Sequence, residues 1–209
     1  MRAQYPGYHA RPVAPFGPAR ARLLVVGLAP GLHGANRTGR PFTGDHAGLL
    51  LYEALHRHGF ASQAVARNAR DGLRLEGCRI TNAVKCLPPA NRPLSHEVRR
   101  CNAYLQAEIA QLPQGAAILA LGRTAHEAVL MALGLPRAEF LFRHGARHAL
   151  ARGLTLFDSY HCSRYNTQTR RLTPEMFAGV VAAIREHLSC SIPLRSSRAC
   201  RTSRGSTAC

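Results

Sequence analysis

The most constraining feature of this sequence is the segment from Arg22 to Asp45, in which a short apolar run passes directly into a glycine-rich loop. Leu23 to Val26 are apolar and partly β-branched, which predicts a buried strand of a parallel sheet. Five glycines follow, and glycine lets a ligand approach the backbone closely. Because ligands of open parallel sheets bind at the carboxyl ends of strands, the segment predicts an α/β fold with its site in this loop.

Further strand–loop–helix units follow along the chain. Strands are predicted at about residues 79–84, 116–121 and 154–158, and helices at 46–58, 95–112, 124–133 and 174–188, with Ser95 and Thr173 as N-caps. By right-handed crossover, these units give a three-layer α/β/α sandwich around a central four-stranded parallel sheet. No secondary structure is predicted for residues 61–77. For residues 136–153, either a strand or a short hairpin is predicted around residues 140–142.

Composition divides the chain into three parts. Prolines and glycines predict an extended arm over residues 1–21, the periodic segments predict one domain over 22–188, and the Ser/Arg/Cys-rich residues 189–209 are typical of a disordered tail. No apolar run is long enough to cross a membrane, no signal segment opens the chain, and the scattered cysteines do not resemble a disulfide framework. We therefore expect a cytoplasmic protein that is not bound to a membrane. We also predict a monomer.

The chain is strongly basic, with 28 Lys and Arg against 11 Asp and Glu and a formal net charge of +17. Arg195, Arg198, Arg201 and Arg204 in the tail account for only a small part of this excess. A basic domain is typical of a polyanion binder and favours nucleic acid over an arginine-rich solvated surface.

Polar loops follow the first, second and fourth predicted strands and open on the same edge of the sheet. Asp45 is either the N-cap of the helix beginning at His46 or a carboxylate that activates water. Asn82 is either a strand-end turn residue or an amide that offers a ligand both a donor and an acceptor. His161 is either an ordinary loop histidine or a hydrogen-bond donor, and Phe42 is either core or a stacking surface.

The loop motifs together resemble the uracil-DNA glycosylase superfamily, with family 5 as the nearest type. They are Gly27-Leu-Ala-Pro, His33-Gly-Ala-Asn-Arg-Thr-Gly-Arg-Pro-Phe-Thr-Gly-Asp45, Thr81-Asn-Ala-Val-Lys-Cys86 and Ser159-Tyr-His161. The resemblance runs from about Pro15 to Leu188. It implies an enzyme that flips uracil out of single- or double-stranded DNA and hydrolyses its N-glycosidic bond, leaving an abasic site. Other deaminated bases are further candidate substrates.

The resemblance also implies roles for the motif residues. Asp45 would orient and activate the attacking water or stabilise positive charge on the deoxyribose. His161 would donate a hydrogen bond to uracil O2 as negative charge develops on the leaving base. Asn82 would bind the Watson–Crick edge of the base, and Phe42 would stack on it.

Other residues would complete the contacts with base and DNA. Backbone N–H groups around Gly27 and Ala29 would help to hold the base. The candidate wedge and phosphate clamp of the duplex are formed by Arg164, Tyr165, Asn166 and Gln168, and Arg37 is a separate candidate contact with phosphate or base. The alternative interpretation of each of these residues is an ordinary solvated position in a loop.

Two cysteine features depart from the family pattern. Family members usually hold a [4Fe–4S] cluster with an N-terminal Cys-x-x-Cys and two later cysteines, which Cys86 and Cys101 match, but no cysteine precedes Cys78 in this chain. The resemblance therefore implies a structural cluster for which the sequence supplies two of four ligands, and free thiols are the alternative. Cys162 stands where the family usually has proline, which is expected to loosen the loop after His161.

A monofunctional glycosylase is the favoured hypothesis, because the only lysine, Lys85, lies beside the candidate cluster ligand Cys86 and not where it could form a Schiff base. A non-catalytic homologue that recognises damaged DNA is the second hypothesis, motivated by the missing cysteines and by Cys162. A flavodoxin-like or nucleotide-binding domain is the third, but the loop lacks both Gly-Lys-Ser/Thr and G-x-G-x-x-G.

Overall fold

Four parallel strands form the centre of the computed structural model, which describes residues 4–190 of the chain. The strands of the sheet are β1 (Leu23–Gly27), β2 (Cys78–Asn82), β3 (Ala117–Leu121), β4 (Arg147–Ala149) and β5 (Thr155–Ser159). Their order is β2-β1-β3-β5-β4, and the edge strand β4 runs antiparallel to β5. The α/β prediction is confirmed, with a fifth strand added at residues 147–149 rather than at 140–142.

Helices cover both faces of the sheet. They are α1 (Ala35–Thr38), α2 (His46–Arg57), α3 (Ser95–Ala110), α4 (Arg123–Leu133), α5 (Arg164–Gln168) and α6 (Pro174–Cys190). The short helices α1 and α5 lie in segments predicted as loops. The predicted cap of α6 is confirmed, since Thr173 Oγ1 accepts from the Met176 N–H at 3.2 Å. The predicted cap of α3 is wrong, because Leu94 occupies the N-cap position and its N–H donates to the Glu97 carboxylate at 2.7 Å.

The sheet separates two apolar clusters, as a three-layer sandwich requires. Leu23 and Val25 belong to the cluster that includes residues of α2 and α6, whereas Leu24 and Val26 belong to the cluster that includes α3 and α4. Every residue of β1 and β3 is buried, because both strands are covered on both faces.

The strand order leaves a crevice at the carboxyl ends of β1 and β2. Gly27 and Asn82 are register partners at these two ends. The connection from β1 to β2 runs through α2 on one face, and the connection from β2 to β3 runs through α3 on the other. Connections that diverge in this way open a ligand crevice above the strands.

The arm over residues 4–21 forms neither a helix nor a regular strand, and it lies against the domain. The Val13 N–H donates to the Lys85 carbonyl at 2.8 Å, and Phe16 forms an antiparallel bridge with Ile80. Helix α6 extends to Cys190, and the remainder of the predicted tail, residues 191–209, lies outside the described residues. No helix between residues 4 and 190 has the length and apolarity to span a membrane.

A buried cluster of polar side chains fastens the edge strand β4. Asp158 Oδ1 lies 2.8 Å from His126 Nδ1, and Asp158 Oδ2 lies 3.1 Å from His148 Nε2. The other ring nitrogen of His126 lies 2.8 Å from the Phe140 carbonyl oxygen. Because both partners of His126 are acceptors, they favour the charged ring, in which both nitrogens donate. Burial lowers the pKa of His126, but Asp158 and the Phe140 carbonyl outweigh it and raise that pKa above its ordinary value.

The raised pKa of His126 predicts a pH-dependent stability. The stabilisation is fully present below the unfolded-state pKa of about 6.5 and is lost as pH rises through the folded-state pKa. We expect the urea midpoint of the wild type to fall across this window and the midpoint of His126→Asn to lose this component. His96→Asn, at an exposed position of α3, is the matched control and should follow the wild type. Equal pH slopes for wild type and His126→Asn would contradict the assignment of a charged ring.

Candidate active site

A cavity of about 420 Å³ opens at the carboxyl ends of β1, β2 and β5, and we call it the site cavity. Phe42 and Asp45 enter it from the loop after β1, Asn82 from the end of β2, and His161 from the segment after β5. Its other lining residues are Leu28, Ala29, Gly31, Ala35, Ala47, Asn91 and Ser163. A few polar groups in a mostly apolar cavity of this size are typical of a small-ligand site.

Gly27 provides the space in which Asn82 and Phe42 meet. A Cβ built on Gly27 would lie 2.5 Å from Phe42 Cζ and would also overlap Asn82 Oδ1. Gly27 is not among the residues that line the site cavity, whereas Ala29 is. The contribution of Gly27 is therefore room for two side chains, which differs from the direct contact with a base that the sequence predicts.

Asn82 presents an unpaired acceptor at the site cavity. The residue is 4% exposed, and its Oδ1 has no hydrogen-bond partner within the part of the chain that the structure describes. A buried acceptor without a partner costs about 1–3 kcal/mol. A ligand that brings an N–H group to this position would remove that cost.

Phe42 has a backbone conformation that few non-glycine residues adopt. Its φ is +53°, in the left-handed region, and its carbonyl packs against Gly48 at the start of α2. Such strain persists only where the surrounding structure over-determines it, and it is concentrated at functional sites. The loop around Phe42 must therefore be held by strong contacts.

The contacts that hold this loop centre on Arg40, which sequence reasoning missed. The buried Arg40 guanidinium donates to both carboxylate oxygens of Asp71, at 2.8 and 2.7 Å, and its Nε donates to Thr43 Oγ1 at 2.9 Å. Arg40 holds the pKa of Asp71 well below its usual range. The ion pair ties the otherwise irregular segment 61–77 to the loop that carries Phe42.

Asp45 has the capping role considered for it and also lies in the site cavity. It is the N-cap of α2, with Oδ1 accepting from the Gly48 N–H at 3.1 Å, and it also lines the site cavity. A Cβ on Gly34 would overlap Oδ2, so glycine at that position leaves room for the second carboxylate oxygen. Burial raises the pKa of Asp45 above its ordinary value, while hydrogen bonds from the Gly48 and Ala47 N–H groups oppose this rise.

His161 is neutral at physiological pH. Burial lowers its pKa to about 4, and its ring lies 6.0 Å from the Phe42 ring, centroid to centroid, at an interplanar angle of 30°. The Asn166 side-chain amide donates to the His161 carbonyl at 2.8 Å. Asn166 therefore positions the His161 loop. The fully buried side chain of Cys162 anchors the same loop in the core.

A second cavity, of about 290 Å³, shares His161 with the first and is basic, so we call it the arginine cavity. Its lining residues are Gly122, Arg123, Phe142, Arg143, Tyr160, His161, Asn166 and Arg171. Arg171 lies 4.6 Å above the Tyr160 ring, and none of the three arginines forms an ion pair with an acid between residues 4 and 190. Sequence reasoning missed these arginines, because they come from three separate segments.

One predicted DNA-contacting residue, Arg164, lines a third cavity, of about 540 Å³, which we call the groove. It is lined by His33, Gly44, Asp45, His46, Leu49, Ala66 and Arg164. Arg164 therefore lies beside Asp45, whereas Arg37 is exposed and its Nε donates to the His33 carbonyl at 2.7 Å. Tyr165 and Gln168 are exposed on α5.

Asn91 and Ser163 line the site cavity without having been predicted. Asn91 has a φ of +56° and its Oδ1 accepts from the Leu32 N–H at 3.3 Å, which ties the loop after β2 to the loop after β1. The three prolines around Asn91 signalled a fixed, non-helical loop, but nothing in the sequence indicated that it folds over the site cavity.

Cys86 and Cys101 flank a further cavity, of about 680 Å³, on the α3 side of the sheet. Burial raises the pKa of Cys86, and the nearby Cys101 adds to this rise. Cys78 and Cys162 are fully buried in the apolar core beneath α2 and α6. Within the described residues, this cavity has two thiols where a [4Fe–4S] cluster takes four cysteine ligands. The residues described here do not form a complete cluster site.

Comparison with known proteins agrees with this architecture. The sequence model of the family described as the uracil DNA glycosylase superfamily matches residues 14–185, and the chain belongs to this superfamily. It is 50% identical to a type-5 uracil-DNA glycosylase of Thermus thermophilus, over 83% of this chain and 79% of that protein. It is 43% identical to a type-5 uracil-DNA glycosylase of Pyrobaculum aerophilum, over 83% and 75%.

A solved structure shows the same fold at low sequence identity. The crystal structure of wild-type SMUG2 from Pedobacter heparinus matches with a TM-score of 0.51 and 14% identity, covering 82% of this chain and 77% of that one.

The packing around Gly27 predicts a strong effect of one added methyl group. In Gly27→Ala the new Cβ would displace Asn82 and Phe42, so we expect at least a hundredfold lower catalytic efficiency on the substrate proposed below. Gly179→Ala is the matched control, because a Cβ at that helical position meets nothing within 4 Å and should leave activity unchanged. Full activity of Gly27→Ala, measured beside the control, would contradict the described packing.

Proposed function

We propose that this chain is a uracil-DNA glycosylase of base-excision repair, which hydrolyses the bond between uracil and deoxyribose and leaves an abasic site. Membership of the superfamily and 43–50% identity to type-5 uracil-DNA glycosylases support this function. The structural observation that carries the proposal is the unpaired Oδ1 of Asn82, a residue that lines one cavity together with an aromatic ring, a neutral imidazole and a carboxylate.

The Asn82 amide fits uracil better than cytosine. Uracil offers an N3–H donor to Asn82 Oδ1 and an O4 acceptor to the amide N–H, whereas cytosine would set acceptor against acceptor and donor against donor. A buried polar group left unpaired is what gives such a site its discrimination. Phe42, held in its strained conformation, supplies the stacking surface for the extruded base.

In bond cleavage, His161 acts on the departing base and Asp45 acts on the sugar and the attacking water. As the glycosidic bond breaks, electrons pass to the base and positive charge develops on the sugar. The neutral His161 donates a hydrogen bond to O2 of the departing base, and the Asp45 carboxylate stabilises the sugar and accepts a proton from the attacking water. The cap bond to Gly48 fixes the Asp45 side chain in position for this step.

The reaction ends at the abasic site. Lys85 is the only lysine of the sequence, and its ammonium group donates to the Glu108 carboxylate at 2.6 Å in a buried pair. Lys85 lines the cavity of Cys86 and Cys101 and not the site cavity. No lysine is therefore available to attack the sugar and cleave the strand.

Arginines on both sides of the site cavity are suited to hold the DNA backbone. Arg123, Arg143 and Arg171 flank His161, and Arg164 flanks Asp45. Arginine without an acidic partner binds phosphate strongly, and the net charge of +17 adds long-range attraction. We assign to these residues the contacts with the strand that carries the extruded nucleotide.

Cys86 and Cys101 would contribute two of the ligands if the chain holds a [4Fe–4S] cluster. Such a cluster would brace the loop after β2 and the start of α3, and its chemistry would be structural. Cys86, Cys101 and the arm residues 12–15 share the walls of one cavity, which supports this location. No step of the proposed reaction passes through a cluster.

Asp45→Asn tests the proposed catalytic role. We expect single-turnover release of uracil from a defined oligonucleotide to fall by about 10²–10⁴-fold. Thermal stability should be retained, since asparagine also caps helices and buries no charge. The wild-type rate should fall as pH drops through the raised pKa of Asp45, and the residual rate of the variant should lack this acid limb.

Glu53→Gln, at an exposed carboxylate of α2, is the matched control and should keep full activity. Wild-type protein that binds uracil-containing DNA but releases no uracil would instead support the hypothesis of a non-catalytic damage-recognition protein. Strand cleavage without alkali treatment would contradict the monofunctional mechanism.

Arg143→Gln tests the arginine cavity. Loss of one phosphate contact should reduce the slope of log Kd against log salt concentration by about 1. Arg57→Gln is the control, because Arg57 pairs with Glu53 on the surface at 3.0 Å and should leave the slope unchanged. Identical slopes for the two variants would place the DNA backbone elsewhere.

A further inference from the structure

An aromatic cluster on the arm takes no part in the reaction described above. The rings of Tyr5 and Tyr8 are stacked, with centroids 4.7 Å apart at an interplanar angle of 21°. Both rings stand edge-on to His33, at 5.8 and 6.0 Å, and the Tyr8 hydroxyl lies 2.8 Å from His33 Nδ1. The two tyrosines are half-buried, so part of each ring is open to a partner.

The local sequence explains why the two rings are held together. Tyr5-Pro6-Gly7-Tyr8 forms a tight turn closed by a hydrogen bond from the Tyr8 N–H to the Tyr5 carbonyl at 3.1 Å. Proline fixes its own φ in such a turn, which lowers the entropy lost in ordering it. The next residue fastens the turn to the domain, since the His9 N–H donates to the Arg37 carbonyl at 3.0 Å. The aromatic pair is therefore preorganised.

The cluster lies at the edge of the groove beside Asp45. His33 belongs both to the cluster and to the groove wall, which also contains His46 and Arg164. Asp45 is the only acidic residue that lines the groove. Arg164 lines the groove, and Arg37 Nη2 would lie 2.7 Å from a Cβ built on Gly44 of its wall. Arginines beside aromatic rings are a combination with which proteins hold single nucleic-acid strands.

We propose that Tyr5 and Tyr8 form a stacking platform for a base of the DNA strand that neighbours the extruded uracil. The inference rests on the function proposed above and extends it to residues outside the 14–185 segment that matches the superfamily. The strand would run along the groove, with phosphates toward Arg37 and Arg164 and one unstacked base against the tyrosine pair. Base–aromatic stacking tolerates any sequence, as a repair enzyme requires.

A binding measurement without chemistry tests the platform. The probe is an oligonucleotide with a tetrahydrofuran abasic analogue in place of deoxyuridine, used single-stranded and as a duplex. We expect the double variant Tyr5→Ala/Tyr8→Ala to bind it about tenfold more weakly. Its single-turnover rate of uracil release at saturating enzyme should equal that of the wild type. Tyr104→Ala, at an exposed tyrosine of α3, is the matched control and should bind like the wild type.

A fluorescent reporter tests the platform without removing a ring, so that a misfolded arm is not mistaken for a lost contact with the base. The sequence contains no tryptophan, so Tyr5→Trp introduces the only one. Stacking of a base should quench its emission when the abasic oligonucleotide is added, and Tyr104→Trp should show no quenching. Tyr8→Phe keeps the ring but removes the bond to His33, and it should retain most of the affinity.

Three outcomes would overturn the platform: unchanged affinity of the double alanine variant, an equal loss in Tyr104→Ala, or no quenching of Tyr5→Trp at saturating DNA. Failure of the proposed function gives a different result. Wild-type protein would then release no uracil, whereas the affinities of the wild type and the variants for the abasic oligonucleotide would still be measurable.

Discussion

The buried ion pair between Arg40 and Asp71 fixes the loop on which the candidate site depends. A long loop after a strand loses much conformational entropy when it orders, and its glycines increase that cost. Desolvation cancels most of the net stability that a buried ion pair contributes, but its two parallel hydrogen bonds accept only one geometry. By also binding Thr43, Arg40 holds the residues on either side of Phe42 and so maintains its left-handed backbone. The ion pair therefore fixes the position of the loop that carries Phe42 more than it stabilises the fold.

The positively charged groups lie around the site cavity, whereas the groups proposed to act in the reaction lie inside it. Arginines lie around the site cavity, in the arginine cavity and the groove, while the cavity itself contains a single carboxylate and a neutral imidazole. A charged His161 and an ionised Asp45 would attract each other across the site cavity that both residues line, where the base must enter. Burial prevents this by lowering the pKa of His161 to about 4. The ring can then act as a fixed hydrogen-bond donor without neutralising the carboxylate opposite it.

Much of this architecture could be predicted from the sequence, because it follows from local patterns. The apolar runs marked the four parallel strands, and the rule that strand ends share one edge brought Phe42, Asn82 and His161 together. Contacts between segments without periodicity have no such signature, and therefore Arg40 and Asp71, 31 residues apart, were missed. Strand β4 was misplaced because it has only three residues, and its His148 is held by Asp158 of the neighbouring strand β5, which no local pattern indicates. The role of Gly27 emerged only from its register with Asn82.

Under the proposed mechanism, the structural role and the catalytic role of Asp45 require each other. Burial in the site cavity favours the protonated carboxyl, which could neither accept a proton from water nor stabilise a cationic sugar. The N–H groups at the start of α2 act in the opposite direction, because they donate to the ionised form and carry the positive end of the helix dipole. A deeper carboxylate without the cap would be protonated nearer to neutral pH, and an exposed one would be hydrated and mobile. The capping position supplies burial, orientation and negative charge together.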